Sequence, residues 1–207
     1  MMHQNQKDLL RGELVRKLLH ISGVLCVPLA SYNTSFTVFL LYVAVIFYIG
    51  LELLRLNGKG LPLARAVLIL ASRDEEDKGI VLGPVTLAMG VIFVLVLFPL
   101  YPAQLGIIAL TLGDGAASLI GRLWGRVRPR FLMGKSLEGS LACFAATCPA
   151  FLAMGLSWPS ACALALVACC VEALPLGNFD NIFIPVIVSG CAFARGVLPY
   201  IHSYLIS

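Results

Sequence analysis

The chain has 207 residues, of which 59% are hydrophobic and 13% are charged, and its formal net charge is +4. Soluble domains contain roughly 45–50% apolar and about 25% charged residues, so this composition excludes a soluble globular enzyme, a disordered chain, a collagen and a disulfide scaffold. The apolar stretches are continuous rather than alternating, which excludes a membrane β-barrel and predicts an all-α, polytopic helical bundle in a membrane.

Seven apolar segments predict about seven transmembrane helices, preceded by a polar N-terminal arm over residues 1–17. The predicted spans are Leu18–Tyr32, Phe36–Leu54, Gly79–Leu100, Ala103–Gly121, Ser136–Leu156, Ser160–Leu176 and Ile182–Tyr200. Residues 61–71 are apolar but too few to cross about 30 Å of hydrocarbon, so we predict an interfacial helix there. The turns at 31–33, 99–102 and 157–159 carry no charge.

The basic residues indicate the orientation of this bundle. Of the 15 Lys and Arg residues, four precede the first span, five lie between the second and third spans, and five lie in the loop 122–135. In a seven-span topology these 14 share one side, and Arg195 is the exception. The positive-inside rule makes that side cytoplasmic, so we predict a cytoplasmic N-terminus and a cytoplasmic basic loop 122–135. In a bacterium the membrane would be the inner membrane.

Several other chemistries are excluded. All seven cysteines lie in apolar stretches without a Cys-x-x-Cys pair, which indicates buried small side chains and not a metal site. The three histidines lack the spacing of zinc ligands. No basic tail or aromatic-basic interleaving indicates nucleic acid binding. The oligomeric state is left open.

Acidic residues inside membrane spans are costly and usually functional. Asp114, Glu138 and Glu172 lie within predicted spans, Glu52 lies at the end of one, and Asp180 precedes another. The predicted topology brings them to the cytoplasmic ends, with Asp114 roughly 10 Å deep. Oxygen ligands suit Mg²⁺ that bridges phosphates. The pattern favours a cytoplasm-facing enzyme site over the midplane site of a transporter.

Two interpretations of the fourth span remain open. Asp114, Ala117, Gly121 and Gly125 are spaced 3, 4 and 4 and therefore share one helical face. This face is either a small-residue packing stripe or a surface where a nucleotide approaches the backbone while Asp114 holds a metal. Packing explains the alanine and the glycines but does not explain the acid.

The segment Gly134-Lys135-Ser136 opens the fifth span. Pro129 stands where a P-loop requires glycine, which excludes that fold. Lys135 and the free N–H groups of the helix start still favour phosphate, with Ser136 as a possible helix cap and Glu138 as a metal ligand one turn later. We expect Gly134→Lys to be tolerated.

Polar groups at two other positions also have alternative interpretations. Glu13, Arg16, Lys17 and His20 form one helical face, which is either an interfacial anchor or a phosphate-neutralising arm. Asp180 and Asn181 either cap the last helix or join the acidic site.

These motifs resemble the dolichol kinase, phytol kinase and CTP-dependent diacylglycerol kinase family, which is related to the phosphatidate cytidylyltransferases. The family pattern D-x-x-A-x-x-x-G-x-x-x-G-x8-K-K-T-x-E-G is matched from Asp114 to Gly139, with Gly134 in place of the first Lys and Ser136 in place of Thr. Residues 16–20 resemble its basic-basic-x-x-His motif. Glu172 with Asp180-Asn181 resembles its Glu-to-Asp-Asn element.

The resemblance implies one transmembrane lipid-kinase domain over residues 1–207. It would transfer the γ-phosphoryl of CTP, with Mg²⁺, to a lipid alcohol such as a polyprenol, dolichol, phytol or diacylglycerol at the cytoplasmic face. The implied catalytic residues are Asp114, Lys135, Glu138, Glu172 and Asp180, with Asp114, Asp180 and Glu138 as metal ligands. The implied nucleotide-binding residues are Arg16, Lys17, His20, Ala117, Gly121, Gly125, Lys135, Ser136, Gly139 and Asn181. The alternatives are CDP-lipid synthesis, whose own signature is absent, a transporter, and a non-catalytic scaffold.

Overall fold

A computed structural model describes residues 17, 18, 20–57, 81–132 and 134–196 of the chain. These residues are helical and include no strand, which confirms the all-α prediction. The seven longer helices are α1 His20–Tyr32, α2 Thr34–Leu56, α3 Gly83–Leu97, α4 Leu100–Leu123, α5 Leu137–Ala153, α6 Trp158–Glu172 and α7 Asp180–Ala194. The N-terminal arm before Lys17 and the predicted interfacial helix 61–71 lie outside the described residues.

Two of the predicted turns are shorter than expected. We predicted a turn over residues 99–102, but α4 already begins at Leu100. Pro102 therefore lies in the first helical turn, where a missing N–H leaves no hydrogen bond unmade. Similarly, α6 begins at Trp158, with Pro159 in its first turn, so the turn predicted over residues 157–159 is reduced.

Helix α4 occupies the centre of the bundle. Its first half packs against α3 and α7, and its second half packs against α5, while α6 lies against α5 and α7. Leu105, Ile107 and Leu110 of α4 are fully buried at 0% exposure. The bundle therefore surrounds the helix that carries Asp114.

Helix α4 is interrupted by a π-helix over Ala109–Asp114. Such widened turns are rare and often occur at functional sites. The Thr111 hydroxyl donates a hydrogen bond to the Ile107 carbonyl at 2.7 Å within this region. Asp114 is the last residue of the widened turn.

Glu52 serves the fold. Its side chain is fully buried, and it accepts hydrogen bonds from the Arg55 guanidinium at 2.7 and 3.0 Å and from the Val81 N–H at 2.9 Å. The Tyr48 hydroxyl donates to the Val81 carbonyl at 3.0 Å. These contacts connect Val81, which lies two residues before α3, to the last turns of α2.

Only part of the membrane topology follows from the helices themselves. Among the described residues, α2 and α4 are long and apolar enough to cross a membrane, while the other five apolar helices have 10–17 residues. Helix α2 exposes Phe39, Ile46 and Phe47 at 63–70%. A soluble domain rarely leaves so large an apolar surface open. The seven-span topology stays a prediction.

A stability prediction follows from the close approach of α3 to α7. A Cβ atom on Gly90 would lie 2.0 Å from the Asn181 carbonyl oxygen, which is main chain and cannot rotate away. We expect Gly90→Ala to destabilise the protein by about 1–3 kcal/mol, the usual effect of overpacking. Thermal unfolding of the purified protein in detergent measures the change.

The matched control is Gly50→Ala, because a Cβ atom at Gly50 meets nothing within 4 Å. Alanine also has the higher helix propensity, so this variant should be neutral or slightly stabilised. Equal melting temperatures for the two alanine variants would contradict the packing of α7 on α3.

Candidate functional site

Asp114 lies at a contact between α4 and the start of α1. Its carboxylate is buried, at 4% residue exposure. Its Oδ2 atom is 3.3 Å from the Lys17 Nζ and 3.3 Å from the His20 Nε2. The structure therefore brings Lys17 and His20 directly to the acid of α4, although Asp114 follows Lys17 by 97 positions in the sequence.

His20 also contacts the widened turn of α4. Its Nε2 atom is 2.9 Å from the Leu110 carbonyl oxygen. Because a carbonyl only accepts hydrogen bonds, Nε2 carries the proton and donates it. His20 therefore connects α1 to the segment that ends at Asp114, and its predicted contact with nucleotide stays a prediction.

A second group of charges forms where α5, α6 and α7 meet. The Lys135 Nζ is 3.0 Å from the Glu172 Oε1 and 3.8 Å from the Asp180 Oδ2, and it also donates to the main-chain carbonyl of Glu172. Lys135 precedes α5, Glu172 ends α6, and Asp180 begins α7. Three chain segments therefore contribute one residue each.

The two groups of charges form one site. Asp114 interacts electrostatically with Lys135, and it also acts on Glu172 and Asp180. Three acids therefore share one region with two lysines and a histidine. Like charges in one region destabilise one another unless cations pair with them, and here Lys17 pairs with Asp114 while Lys135 pairs with Glu172.

One oxygen atom of this site has no hydrogen-bond partner in the part of the chain that the structure describes. The Glu172 Oε2 is buried and makes no hydrogen bond to any described residue. A buried acceptor without a partner costs about 1–3 kcal/mol, and more when it is charged. Such an atom is a candidate for contact with a bound substrate or cation.

The small-residue face of α4 is a packing surface. Gly125 lies two residues beyond the end of α4 at Leu123, so the helical face that we predicted does not extend to it. A Cβ atom on Gly125 would lie 2.6 Å from the Ser136 Oγ, and one on Gly139 would lie 2.8 Å from the Ala117 carbonyl oxygen. A Cβ on Gly121 would lie 2.9 Å from the same serine oxygen. The start of α5 covers this face, so of the two open interpretations the structure favours helix packing over nucleotide contact.

Ser136 and Asn181, which we predicted to bind nucleotide, make hydrogen bonds within the protein. The Ser136 hydroxyl caps α5 by accepting the Gly139 N–H at 3.1 Å. The Asn181 amide donates to the Thr86 hydroxyl at 2.9 Å and to the Gly83 carbonyl at 3.3 Å. Both side chains are directed to neighbouring segments of the protein.

Glu138 belongs to the basic loop. Its Oε1 atom accepts the N–H groups of Arg126 and Val127, each at 3.0 Å. The Arg128 guanidinium holds the same loop by donating to the Gly121 carbonyl at 2.7 Å and to the Gly134 carbonyl. Glu138 therefore fixes the loop, and the structure does not group it with Asp114 and Asp180 as a metal ligand.

The remaining residues fit a metal that arrives with a nucleotide. Among the described residues, no three His, Cys, Asp or Glu side chains form a ready metal centre. Mg²⁺ usually keeps several waters and binds one or two carboxylates together with substrate phosphates. Asp114, Asp180 and the unpartnered oxygen of Glu172 supply that chemistry. Arg16 lies outside the described residues.

The chain is similar to curated proteins that are named as lipid kinases. Probable phytol kinase, chloroplastic, from Triticum aestivum is 29% identical over 211 residues, which cover 91% of this chain and 69% of the relative. CTP-dependent diacylglycerol kinase 1 from Schizosaccharomyces pombe is 28% identical over 65% of this chain and 63% of its own length. Dolichol kinase from Saccharomyces cerevisiae is 29% identical over 66% of this chain and 26% of its own.

No family model matches the chain, and no solved structure matches it. The curated relatives nevertheless confirm the resemblance that the motifs predicted. The chain is a homologue of proteins named phytol kinase, CTP-dependent diacylglycerol kinase and dolichol kinase, at 27–29% identity.

Proposed function

We propose that this protein is an integral membrane kinase that transfers the γ-phosphoryl group of CTP to the hydroxyl of a lipid alcohol at the cytoplasmic face. The observation that carries the proposal is the cluster of three acids and two lysines, built from α1, α4, the α5 start, α6 and α7. The homologues are named as kinases of phytol, dolichol and diacylglycerol. The choice of CTP follows the motif resemblance and the name of one relative.

The proposed topology has seven spans and a cytoplasmic N-terminus. The grouping of 14 basic residues on one side supports it, as does the convergence of the charged site at one end of the bundle. The two longest apolar helices cross the membrane on their own length, and the shorter ones are extended by flanking residues.

The contacts in the site support an exchange of ion-pair partners on substrate binding. Lys17 and Lys135 now pair with acids. When Mg²⁺ and a nucleotide bind, Asp114 and Asp180 would hold the metal, and the lysines would turn to the phosphates. A lysine is a compact charge on a flexible stem, so it suits this movement.

Phosphoryl transfer requires positioning and charge neutralisation more than covalent chemistry. The alcohol oxygen forms a bond to the γ-phosphorus, the bond from that phosphorus to the bridging oxygen breaks, and CDP leaves with the electron pair. The hydroxyl proton passes to a carboxylate. Glu172 is our candidate because its Oε2 is unpartnered, and Asp180 is the alternative. Bound Mg²⁺ would supply neutralisation of the phosphate charge.

Purified protein supplied with radiolabelled CTP or ATP and a panel of lipid alcohols tests the proposal. The panel contains a polyprenol, phytol and diacylglycerol. We expect a labelled lipid phosphate with CTP as the preferred donor. Better use of ATP would contradict the choice of CTP, and no transfer to any alcohol would contradict the kinase.

The topology can be checked by cysteine labelling. In a background without the native cysteines, Arg126→Cys should react with a membrane-impermeant maleimide only after the cells are permeabilised, because its loop is cytoplasmic. Ser157→Cys should react in intact cells. Labelling of both positions under the same condition would contradict the seven-span topology.

Partner exchange predicts how the metal binds in the absence of nucleotide. Lys17 forms an ion pair with Asp114, which is a proposed metal ligand. Lys17→Gln removes this nearby cation and should raise the affinity of the protein for Mn²⁺ alone by at least about tenfold. Electron paramagnetic resonance of free Mn²⁺ measures this affinity. Arg126→Gln removes the same charge from the loop and should leave it unchanged. Unchanged or weaker Mn²⁺ binding in Lys17→Gln would contradict the exchange.

A further inference from the structure

The loop after α4 presents apolar and basic side chains together. Leu123, Trp124 and Val127 are exposed at 48%, 60% and 51%. Arg126 and Arg130 are exposed beside them. No acidic residue occurs between positions 115 and 137. The surface is therefore both strongly positive and locally apolar, and the proposed kinase chemistry does not use it.

The exposure of these side chains is imposed by a fixed backbone. Glu138 binds the main-chain N–H groups of Arg126 and Val127, and the Leu137 N–H donates to the Val127 carbonyl at 3.0 Å. Arg128 is tied to the Gly121 and Gly134 carbonyls. The loop therefore cannot collapse to bury its apolar side chains, so they require an external partner.

We propose that the surface formed by Leu123, Trp124, Arg126, Val127 and Arg130 docks on anionic lipid headgroups of the leaflet that surrounds the loop. An anionic leaflet attracts the arginines and also buries the apolar side chains at its boundary. Tryptophan is enriched at this depth of a membrane. This inference rests on the proposed topology, in which α4 ends and α5 begins at the same membrane surface.

A nucleotide phosphate fits this surface less well. It would neutralise the arginines but would leave Trp124, Leu123 and Val127 in water. The loop is continuous with Lys135, whose main-chain N–H donates a hydrogen bond to the Leu132 carbonyl at 3.0 Å. Headgroup contact would therefore hold the segment that delivers Lys135.

Tryptophan fluorescence tests the docking directly and without any measurement of activity. The chain has two tryptophans, so Trp158→Phe leaves Trp124 as the sole emitter. The full-length variant is placed in two vesicle preparations of identical phosphatidylcholine and phosphatidylglycerol composition. The bromine quencher is carried by the anionic lipid in one and by the zwitterionic lipid in the other.

We expect Trp124 to be quenched more strongly by the brominated anionic lipid, since arginines near an anionic leaflet attract its headgroups. Arg126→Gln with Arg130→Gln should remove the preference, while Arg195→Gln should keep it. Equal quenching by the two lipids in the unmodified loop would overturn the proposal. Quenching by neither lipid would show that the loop does not reach the bilayer and would overturn it as well. Either result leaves the kinase proposal untouched.

Discussion

Asp114→Asn is expected to abolish phosphoryl transfer while the protein still inserts and folds. The substitution keeps the size of the side chain but removes the negative charge that faces Lys17 and His20. Without this charge the metal and its phosphates lose an anchor, and we expect a loss of at least about a thousandfold in kcat, or ~4 kcal/mol of transition-state stabilisation. Lipid phosphorylation by the purified variant measures it.

A destabilised Asp114→Asn protein must be distinguished from a folded but inactive one. The substitution leaves Lys17 as a buried cation without its anion, which costs about 3–5 kcal/mol when a buried pair is broken on one side. The double variant Lys17→Gln with Asp114→Asn removes both charges and should recover stability while remaining inactive. Near-normal turnover in either variant would make Asp114 a structural residue.

Lys135→Ala is expected to reduce the rate by about a hundredfold or more, or ~2.7 kcal/mol. The family pattern that this chain resembles has a second lysine at the position of Gly134, so here one ammonium would carry more of the phosphate neutralisation. The variant also leaves Glu172 and Asp180 without their shared cation. Measurements of kcat and of KM for the nucleotide separate weaker binding from slower chemistry.

Lys135→Arg is the matched variant, because it keeps the charge. The planar guanidinium differs from a compact ammonium, so we expect only partial recovery. An activity of Lys135→Ala within about a factor of three of wild type, ~0.65 kcal/mol, would remove Lys135 from the site.

The structure corrects our expectation that Gly134→Lys would be tolerated. Gly134 has a φ of +97°, a conformation that L side chains rarely adopt. A side chain there costs about 1–3 kcal/mol in backbone strain even though its Cβ would meet no other atom. We therefore expect Gly134→Lys, which would restore the second lysine of the family pattern, to destabilise the loop.

The sequence was most informative where a charge interrupts an apolar helix. Asp114 and Glu172 stand out for this reason, and the structure places both with Lys135 and Asp180 in one site. The all-α fold followed from the continuous apolar segments. These acids could be identified without knowing how the helices pack, because the free-energy cost of a charge in a membrane can be judged from the sequence.

Roles that depend on which helix is the neighbour could not be predicted. Asn181 bonds to Thr86 across 95 residues, and the Gly121 face is covered by α5. Neither contact is indicated by a pattern in the neighbouring sequence. The π-helix that ends at Asp114 was not predicted for a similar reason, since the Leu110 carbonyl is bound by His20 from a helix distant in sequence. The glycines on both sides of Asp114 were the one local indication of unusual backbone.

The position of the radiolabel in the product tests the central claim most directly. The full-length protein is incubated with Mg²⁺ and the preferred lipid alcohol, in parallel with α-labelled and γ-labelled CTP. A lipid kinase transfers only the γ-label to the lipid and releases CDP, which is the result that we predict. A second pair of reactions replaces the alcohol with the corresponding lipid phosphate. Incorporation of the α-label into that lipid phosphate with release of pyrophosphate, and no transfer of the γ-label to the alcohol, would identify CDP-lipid synthesis and would contradict the proposed reaction.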